Sequence, residues 1–229
     1  GGVEVVVTEL STRMAALGHD LTVYNRSGVP GQDTIVQKLG NNDSYTYKDV
    51  KAKQIKTLNI KGLAAATSSY SAMKAAISDN PDIIHVHAEG PAAMCKLAKK
   101  AGIPCLVTVH GLDWQREKWG RLGTTYIKHG ERVAVKYADK IIVLSKSLQK
   151  YFKDTYGKDT IYIPNGVAKA KPEKPNIVHN KYGLKYQDYI LFVGRVVPEK
   201  GIHYLIEAFK LLKKQGKTGG NKLVLAGCS

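Results

Sequence analysis

Long apolar runs are missing from this 229-residue chain, and none approaches the roughly 18–20 residues that a membrane-spanning helix needs. Cysteine is scarce as well: Cys95, Cys105 and Cys228 are scattered, without CxxC spacing. That argues against a disulfide framework and a thiolate metal site, and makes reduced thiols in a cytosolic protein the expectation. Acidic residues are few, 19 against 35 Lys and Arg, for a formal charge of +16. The deficit is local. Residues 1–90 carry nine residues of each sign, whereas residues 91–229 carry 26 basic and ten acidic ones. Such asymmetry calls for an anionic partner: nucleic acid, an acidic membrane surface or a phosphorylated substrate. Nucleic acid is disfavoured, because the lysines are dispersed and no RNP-like strand, zinc-finger spacing or basic-zipper pattern accompanies them.

What the chain does have is an alternation of apolar strands and helical segments. With 43% hydrophobic and 24% charged residues, it has ample material for a folded core. Val3, Val6, Leu10, Met14 and Leu17 recur at helical spacing, with Gly18 as a stop, and Leu21–Asn25 reads as a strand. A Gly-Gly pair at a helix start normally ends a loop that follows a strand. The expectation is therefore a fragment whose first strand is missing. Residues 26–60 are polar, with a strand predicted at Gln54–Leu58. Then come a helix over Gly62–Ser78, a strand over Pro81–His87, a helix over Pro91–Ala101 and a strand over Ile103–His110. A helix over Thr124–Tyr137, a strand over Asp139–Ser145, a helix over Lys146–Tyr156 and the segment Asp159–Val167 complete the series. This rhythm predicts a doubly wound parallel sheet. Residues 168–188, with Pro172, Pro175 and several lysines, read as a linker between a domain at 1–167 and the start of another at 189–229. There a strand (Tyr189–Val193), a helix (Gly201–Lys214) and a strand (Lys222–Gly227) restart the pattern.

Ligands of open parallel sheets bind beyond the carboxyl ends of the strands. The residues predicted there are His85, His87 and Glu89, then His110 and Asp113, then Ser145, then Asn165-Gly166, and finally Arg195. His85 and His87 lie two apart on one strand and share a face. With His110 they form a candidate three-nitrogen metal site, against the alternative that they bond local backbone groups. Trp114 and Trp119, among the charges of HGLDWQREKW, offer either a carbohydrate or lipid contact surface or anchors of the loop into the core. Asn165-Gly166 reads as a tight turn. In FVGRVVPEKG, Gly194 frees the backbone, and Pro198–Gly201 feeds a helix start. Arg195 and Lys200, beside that helix N-terminus, suit an anion such as a diphosphate.

In order, GGVE, LGHDLTVY, PDIIHVH, VTVHGLDWQ, ADKIIVLS, YIPNGV and ILFVGRVVPEKGIHYLIEAF resemble the retaining nucleotide-sugar glycosyltransferases of family 4. The resemblance covers nearly the whole chain. It implies an α/β GT-B fold: two Rossmann-like domains with parallel sheets facing across a cleft, the second truncated here. HGLDWQREKW is similar to bacterial members that build capsular or exopolysaccharide chains, some of them rhamnosyltransferases.

By that resemblance Arg195 and Lys200 clamp the donor diphosphate in place of a divalent metal and neutralise the leaving group. Gly1 and Gly2 approach the same phosphates, where a side chain would obstruct the backbone. Asn165 and Gly194 join the donor site, and His110 touches the donor sugar, orienting it and stabilising charge. His87, Asp113 and Trp114 stand on the acceptor side. No cofactor or metal is expected. The expected partners are a nucleotide sugar, a saccharide or polyprenyl-diphosphate-linked acceptor, and an anionic surface at the inner face of the plasma membrane. The carboxylate pair that positions the donor in this family has no counterpart in the chain, so inactivity of the chain alone is expected. The competing readings are a metal-dependent hydrolase built on His85, His87 and His110, and a non-catalytic sugar-nucleotide-binding module.

Overall fold

The computed structural model describes residues 2–26, 44–55, 64–116, 119–167, 169, 171 and 176–227. The chain forms two compact units that divide between Gly166 and Val167.

In the first unit, helix α1 (Gly2–Ala16) precedes β1 (Thr22–Arg26), β2 (Ser44–Tyr47) and β3 (Val50–Ile55). These strands form a mixed sheet in the order β1-β3-β2, with β1 parallel and β2 antiparallel to β3. The third strand therefore begins earlier than the predicted Gln54–Leu58, whose last three residues lie outside the described ones. The packed face of α1 also differs from the predicted stripe. Ser11 is buried, while Leu10 and Leu17 are exposed. Helix α2 (Ala64–Ser78) follows, and just beyond it Asp79 accepts hydrogen bonds from Tyr24 Oη of β1 and Lys53 Nζ of β3.

The second sheet carries the core. Strands β4 (Ile84–His87), β5 (Cys105–Val109), β6 (Lys140–Val143) and β7 (Ile161–Tyr162) run parallel in that order. Val107, Val109 and Val143 are wholly buried, as expected for β-branched residues in a sheet covered on both faces. Between β4 and β5 the predicted single helix is two pieces, α3 (Glu89–Ala92) and α4 (Cys95–Lys100). Helix α5 (Arg121–Tyr137) buries Ile127, Gly130, Glu131, Val133 and Ala134 on one face. Helix α6 (Lys146–Tyr156) buries Leu148 and Phe152. Its ends obey capping chemistry. Ser145 Oγ accepts the Leu148 N–H at 3.2 Å, and Gly157, at φ 62°, closes the C-terminus with its N–H on the Lys153 carbonyl.

The second unit holds α7 (Asn176–Tyr182), β8 (Tyr189–Val193), α8 (Ile202–Lys214) and β9 (Lys222–Ala226), with β8 and β9 parallel. The helix α7 lies inside the stretch read as linker; its Pro- and Lys-rich flanks hide it.

Candidate active site

Strand register brings the first group of residues together. Pairing of β4 with β5 sets His85 opposite Leu106 and His87 opposite Thr108. His110 lies two residues past Thr108, and therefore on the same side of the sheet. The rings of His85 and His87 stack at 4.3 Å between centroids, and those of His87 and His110 at 5.3 Å. His85 Nε2 lies 2.7 Å from Thr108 Oγ1, and His87 Nδ1 lies 3.0 Å from His110 Nε2. One proton is shared across that nitrogen pair, so the tautomer of either ring dictates that of the other. Burial lowers the pKa of all three, in His87 to about 3, with neighbouring imidazoles contributing at His85 and His87. For His110 the nearby Asp113 carboxylate opposes the effect. The candidate metal triad thus has its nitrogens engaged with Thr108 and with one another. Among the described residues, no group of three His, Cys, Asp or Glu is arranged to hold an ion.

After β4 the chain bends sharply. Ala88 has φ 76° and ψ 159°, a region essentially reserved for glycine that costs about 1–3 kcal/mol. Its N–H donates to the Thr108 carbonyl at 2.9 Å, and the bend delivers Glu89 into the interior, 0% exposed. Burial pushes the Glu89 carboxyl up to about 7. Its Oε1 accepts the Asp113 N–H at 3.1 Å. Asp113 forms an ion pair with Arg116 at 2.9 Å.

The next residue, Trp114, turns its polar edge inward. Its Nε1–H donates at 3.3 Å to the buried Glu131, and Lys128 Nζ lies 4.3 Å from the ring centroid. Of the two readings for this residue, the geometry favours the anchor. Trp119 packs near Gly123, where an added Cβ would stand 3.2 Å from the indole. Ser145 is spent as the cap of α6. Asn165-Gly166 does not form the expected tight turn: neither residue has positive φ, and the segment is exposed.

In the second unit, Gly194 follows β8 and donates its N–H to the Ala226 carbonyl at 3.0 Å. An added Cβ at Gly194 would press on the Phe192 ring at 3.2 Å. A 3-10 turn over Pro198–Lys200 and the left-handed Gly201 (φ 63°) then open α8, whose N-terminus has no side-chain cap. Arg195 and Lys200 flank this turn, both exposed. Among the described residues neither has a carboxylate partner. Lys200 adjoins the uncapped start of α8 and Arg195 lies on the loop leading to it; exposed cations and free helical N–H groups suit an anion. At the other end of the chain, Gly2 opens α1 with nothing within 4 Å of an added Cβ. Gly1 lies outside the described residues.

The family model Glycosyltransferase Family 4 matches residues 1–171, and Glycosyl transferases group 1 matches residues 176–229. The chain belongs to glycosyltransferase family 4. Relatives of this family-4 chain include the uncharacterized glycosyltransferase YqgM of Bacillus subtilis, 30% identical over 169 residues, 71% of this chain and 44% of YqgM. The capsular polysaccharide biosynthesis glycosyltransferase CapM of Staphylococcus aureus is 30% identical over 121 residues, 48% of this chain and 31% of CapM. The chain thus spans less than half the length of either relative. Anabaena HepE, solved in complex with UDP, has a TM-score of 0.55 at 12% identity, covering 91% of this chain and 69% of HepE. That likeness is one of fold, α/β of the GT-B type with parallel sheets.

Sequence reading missed Glu131 and Thr108. Glu131 had a signal. It occupies the apolar stripe Ile127, Glu131, Ala134, Ala138, where a carboxylate is out of place unless it has buried donors.

Proposed function

We propose that this chain works in a metal-independent, retaining glycosyltransferase that moves a hexosyl or deoxyhexosyl group from a nucleoside-diphosphate donor to a saccharide or lipid-diphosphate-linked acceptor during cell-envelope or capsular polysaccharide synthesis. One observation supports this reading beyond family membership: the segment from Gly194 to Gly201 carries exposed Arg195 and Lys200 and ends at the uncapped start of α8. Those cations grip the diphosphate and neutralise the charge that develops as the glycosidic bond breaks, the task a divalent metal performs elsewhere. The family resemblance assigns Gly1, Gly2 and Asn165 to the donor as well. His110, a neutral imidazole at physiological pH because burial depresses its pKa, orients the donor sugar and stabilises charge at the reacting carbon. His87 fixes its ring through the shared proton, and Asp113 is assigned to the acceptor side by the family resemblance, with Trp114 anchoring the loop that carries it. The name of CapM supports the polysaccharide context, and the UDP in the HepE structure supports a nucleotide donor.

The surplus of basic residues after residue 90 gives attraction to anionic headgroups, about 1 kcal/mol per basic residue near the surface. No helix among the described residues is long and apolar enough to cross a membrane. The proposed attachment is peripheral, at the inner face of the plasma membrane, drawn by that charge.

The test is to incubate the complete enzyme, with acceptor lipid and with or without a chelator, with a panel of nucleotide sugars and to score nucleotide release. Release from one donor, undiminished by the chelator, is expected. No release from any donor would overturn the reading, and full chelator sensitivity would overturn its metal-independent part. Sedimentation with vesicles tests the surface: equal binding to neutral and anionic lipid would remove the electrostatic attraction.

A further inference from the structure

Two buried carboxylates in the first unit have no part in the donor grip, and both end on the loop that follows β5. Glu89 is 0% and Glu131 1% exposed. Oε1 of Glu89 accepts the backbone N–H of Asp113 at 3.1 Å, and Oε2 of Glu131 accepts the indole N–H of Trp114 at 3.3 Å. Consecutive loop residues are thus each held from beneath by a separate carboxylate. Glu131 is in turn braced from α6, where Tyr151 Oη and Tyr156 Oη donate to its Oε1 at 2.9 and 2.5 Å. Burial and the adjacent carboxylate raise the pKa of both phenols, so they remain donors at any physiological pH.

The two carboxylates also share a seam. A Cβ added at Gly130 would fall 1.9 Å from the Glu89 carbonyl oxygen, so glycine is what lets α3 and α5 approach closely enough for both acids to reach the loop. Burying two carboxylates is costly unless their hydrogen bonds specify something. What these specify is the path of the chain from His110 to Trp114.

We infer that Glu89 and Glu131 are positioning residues: a two-point clamp on Asp113 and Trp114 that fixes the loop carrying His110. The consequence for turnover rests on the sugar-transfer reading; the clamp itself does not. Since the donor diphosphate is assigned to Arg195 and Lys200, loosening the clamp lowers kcat and leaves the donor KM nearly unchanged. A displacement of about 1 Å at a reacting centre costs about 100-fold.

The chain has two tryptophans, so ¹⁵N-Trp labelling gives two indole N–H resonances, which Trp119→Phe assigns. In the wild type the Trp114 indole proton is expected to exchange slowly. Glu131→Leu speeds that exchange at least tenfold, and Glu131→Gln, which keeps an acceptor oxygen, restores most of the protection. Glu89→Leu and Glu89→Gln do the same at the Asp113 amide. In the complete enzyme, Trp114→Phe removes one clamp point from the loop side and covers the case in which Glu131→Leu does not fold. It is expected to lower kcat at least tenfold with the donor KM within about twofold. An indole exchange rate indifferent to Glu131→Leu, or a Trp114→Phe enzyme with wild-type kcat, would overturn the inference. If the exchange signatures hold while the wild-type enzyme transfers no sugar, the clamp stands and the transfer reading falls.

Discussion

The candidate site residues of the first unit are partnered, whereas Arg195 and Lys200 of the second are exposed. In the first unit, His85, His87 and His110 are half-buried, Glu89 and Glu131 are wholly buried, and each is bonded to another of them or to a neighbouring hydroxyl, amide or indole group. Around them Val107, Val109, Val143 and Phe152 are wholly buried. In the second unit, Arg195 and Lys200 face solvent without carboxylate partners among the described residues, and Ile190, Leu191 and Val193 of its sheet are exposed. Inward groups are committed. Their protonation and tautomers are set by neighbours, so they orient and polarise. Outward cations are available, and a charge without a local partner keeps its full capacity to bind an anion. Under the proposed sugar transfer, groups of the first kind would orient and groups of the second kind would bind charge.

The largest expected effect comes from overfilling the seam in the first unit. Gly130→Ala drives a methyl into the Glu89 carbonyl, and its cost is expected to exceed about 3 kcal/mol, as for the worst overpacked cores. Urea denaturation reads this, and an unchanged midpoint would break the picture of a committed interior. Gly227→Ala makes the matching insult in the second unit, where the added Cβ would stand 1.7 Å from the Gly194 carbonyl oxygen. Its effect is expected at the donor turn, as faster exchange of the Gly194 amide that donates to Ala226.

Acid sharpens the comparison next. The folded-state pKa of His87 lies at about 3, below its ordinary 6.5, so the unfolded chain takes up a proton that the folded chain refuses. The contribution of His87 to stability is full above about pH 6.5 and is lost as pH falls from there toward 3. Glu89 runs the other way. Its carboxyl, raised from 4.5 to about 7 by burial, contributes fully below about pH 4.5 and less as pH rises through 7. The two slopes oppose each other from about pH 4.5 to 6.5, so relative to the wild type the urea midpoint is expected to fall with rising pH there in His87→Asn and to rise with it in Glu89→Gln. Parallel profiles for wild type and both variants would contradict this.

The smaller effects are local. Ser145→Ala removes the cap of α6 and is expected to cost about 1 kcal/mol. Ala88→Gly relieves the backbone at φ 76° and is expected to stabilise by up to about 1 kcal/mol, the reverse of the usual sign for that exchange. Thermal melts of both variants check the pair.

The legible parts of the molecule are those where one force acts alone. PDIIHVH, IPCLVTVH and DKIIVLS declare themselves as strands because they are apolar runs bounded by breakers, and their order gives the parallel sheet. SYTY is polar and does not; VKAKQI does so only in part, because its buried Val50, Ala52 and Ile55 are interrupted by lysines and Gln54. The break between α3 and α4 passes through Ala93 and Met94, which carry no punctuation. Among site residues, the strand-end positions are readable from topology, but the bond between His87 and His110 depends on the register of β4 against β5. Glu131 stayed hidden because a carboxylate in a helix reads as surface until its three donors, from two other elements, are in place.

The most direct test of the central claim is the affinity of the complete enzyme for a nucleoside diphosphate, measured as competitive inhibition against the donor, with Arg195→Ala and Lys200→Ala combined. Two charge-assisted contacts are together worth about 3–6 kcal/mol, so the inhibition constant is predicted to rise by at least about 100-fold while the fold of the second unit, followed by amide exchange, is retained. A double variant that is folded and inhibited as tightly as the wild type would contradict the account.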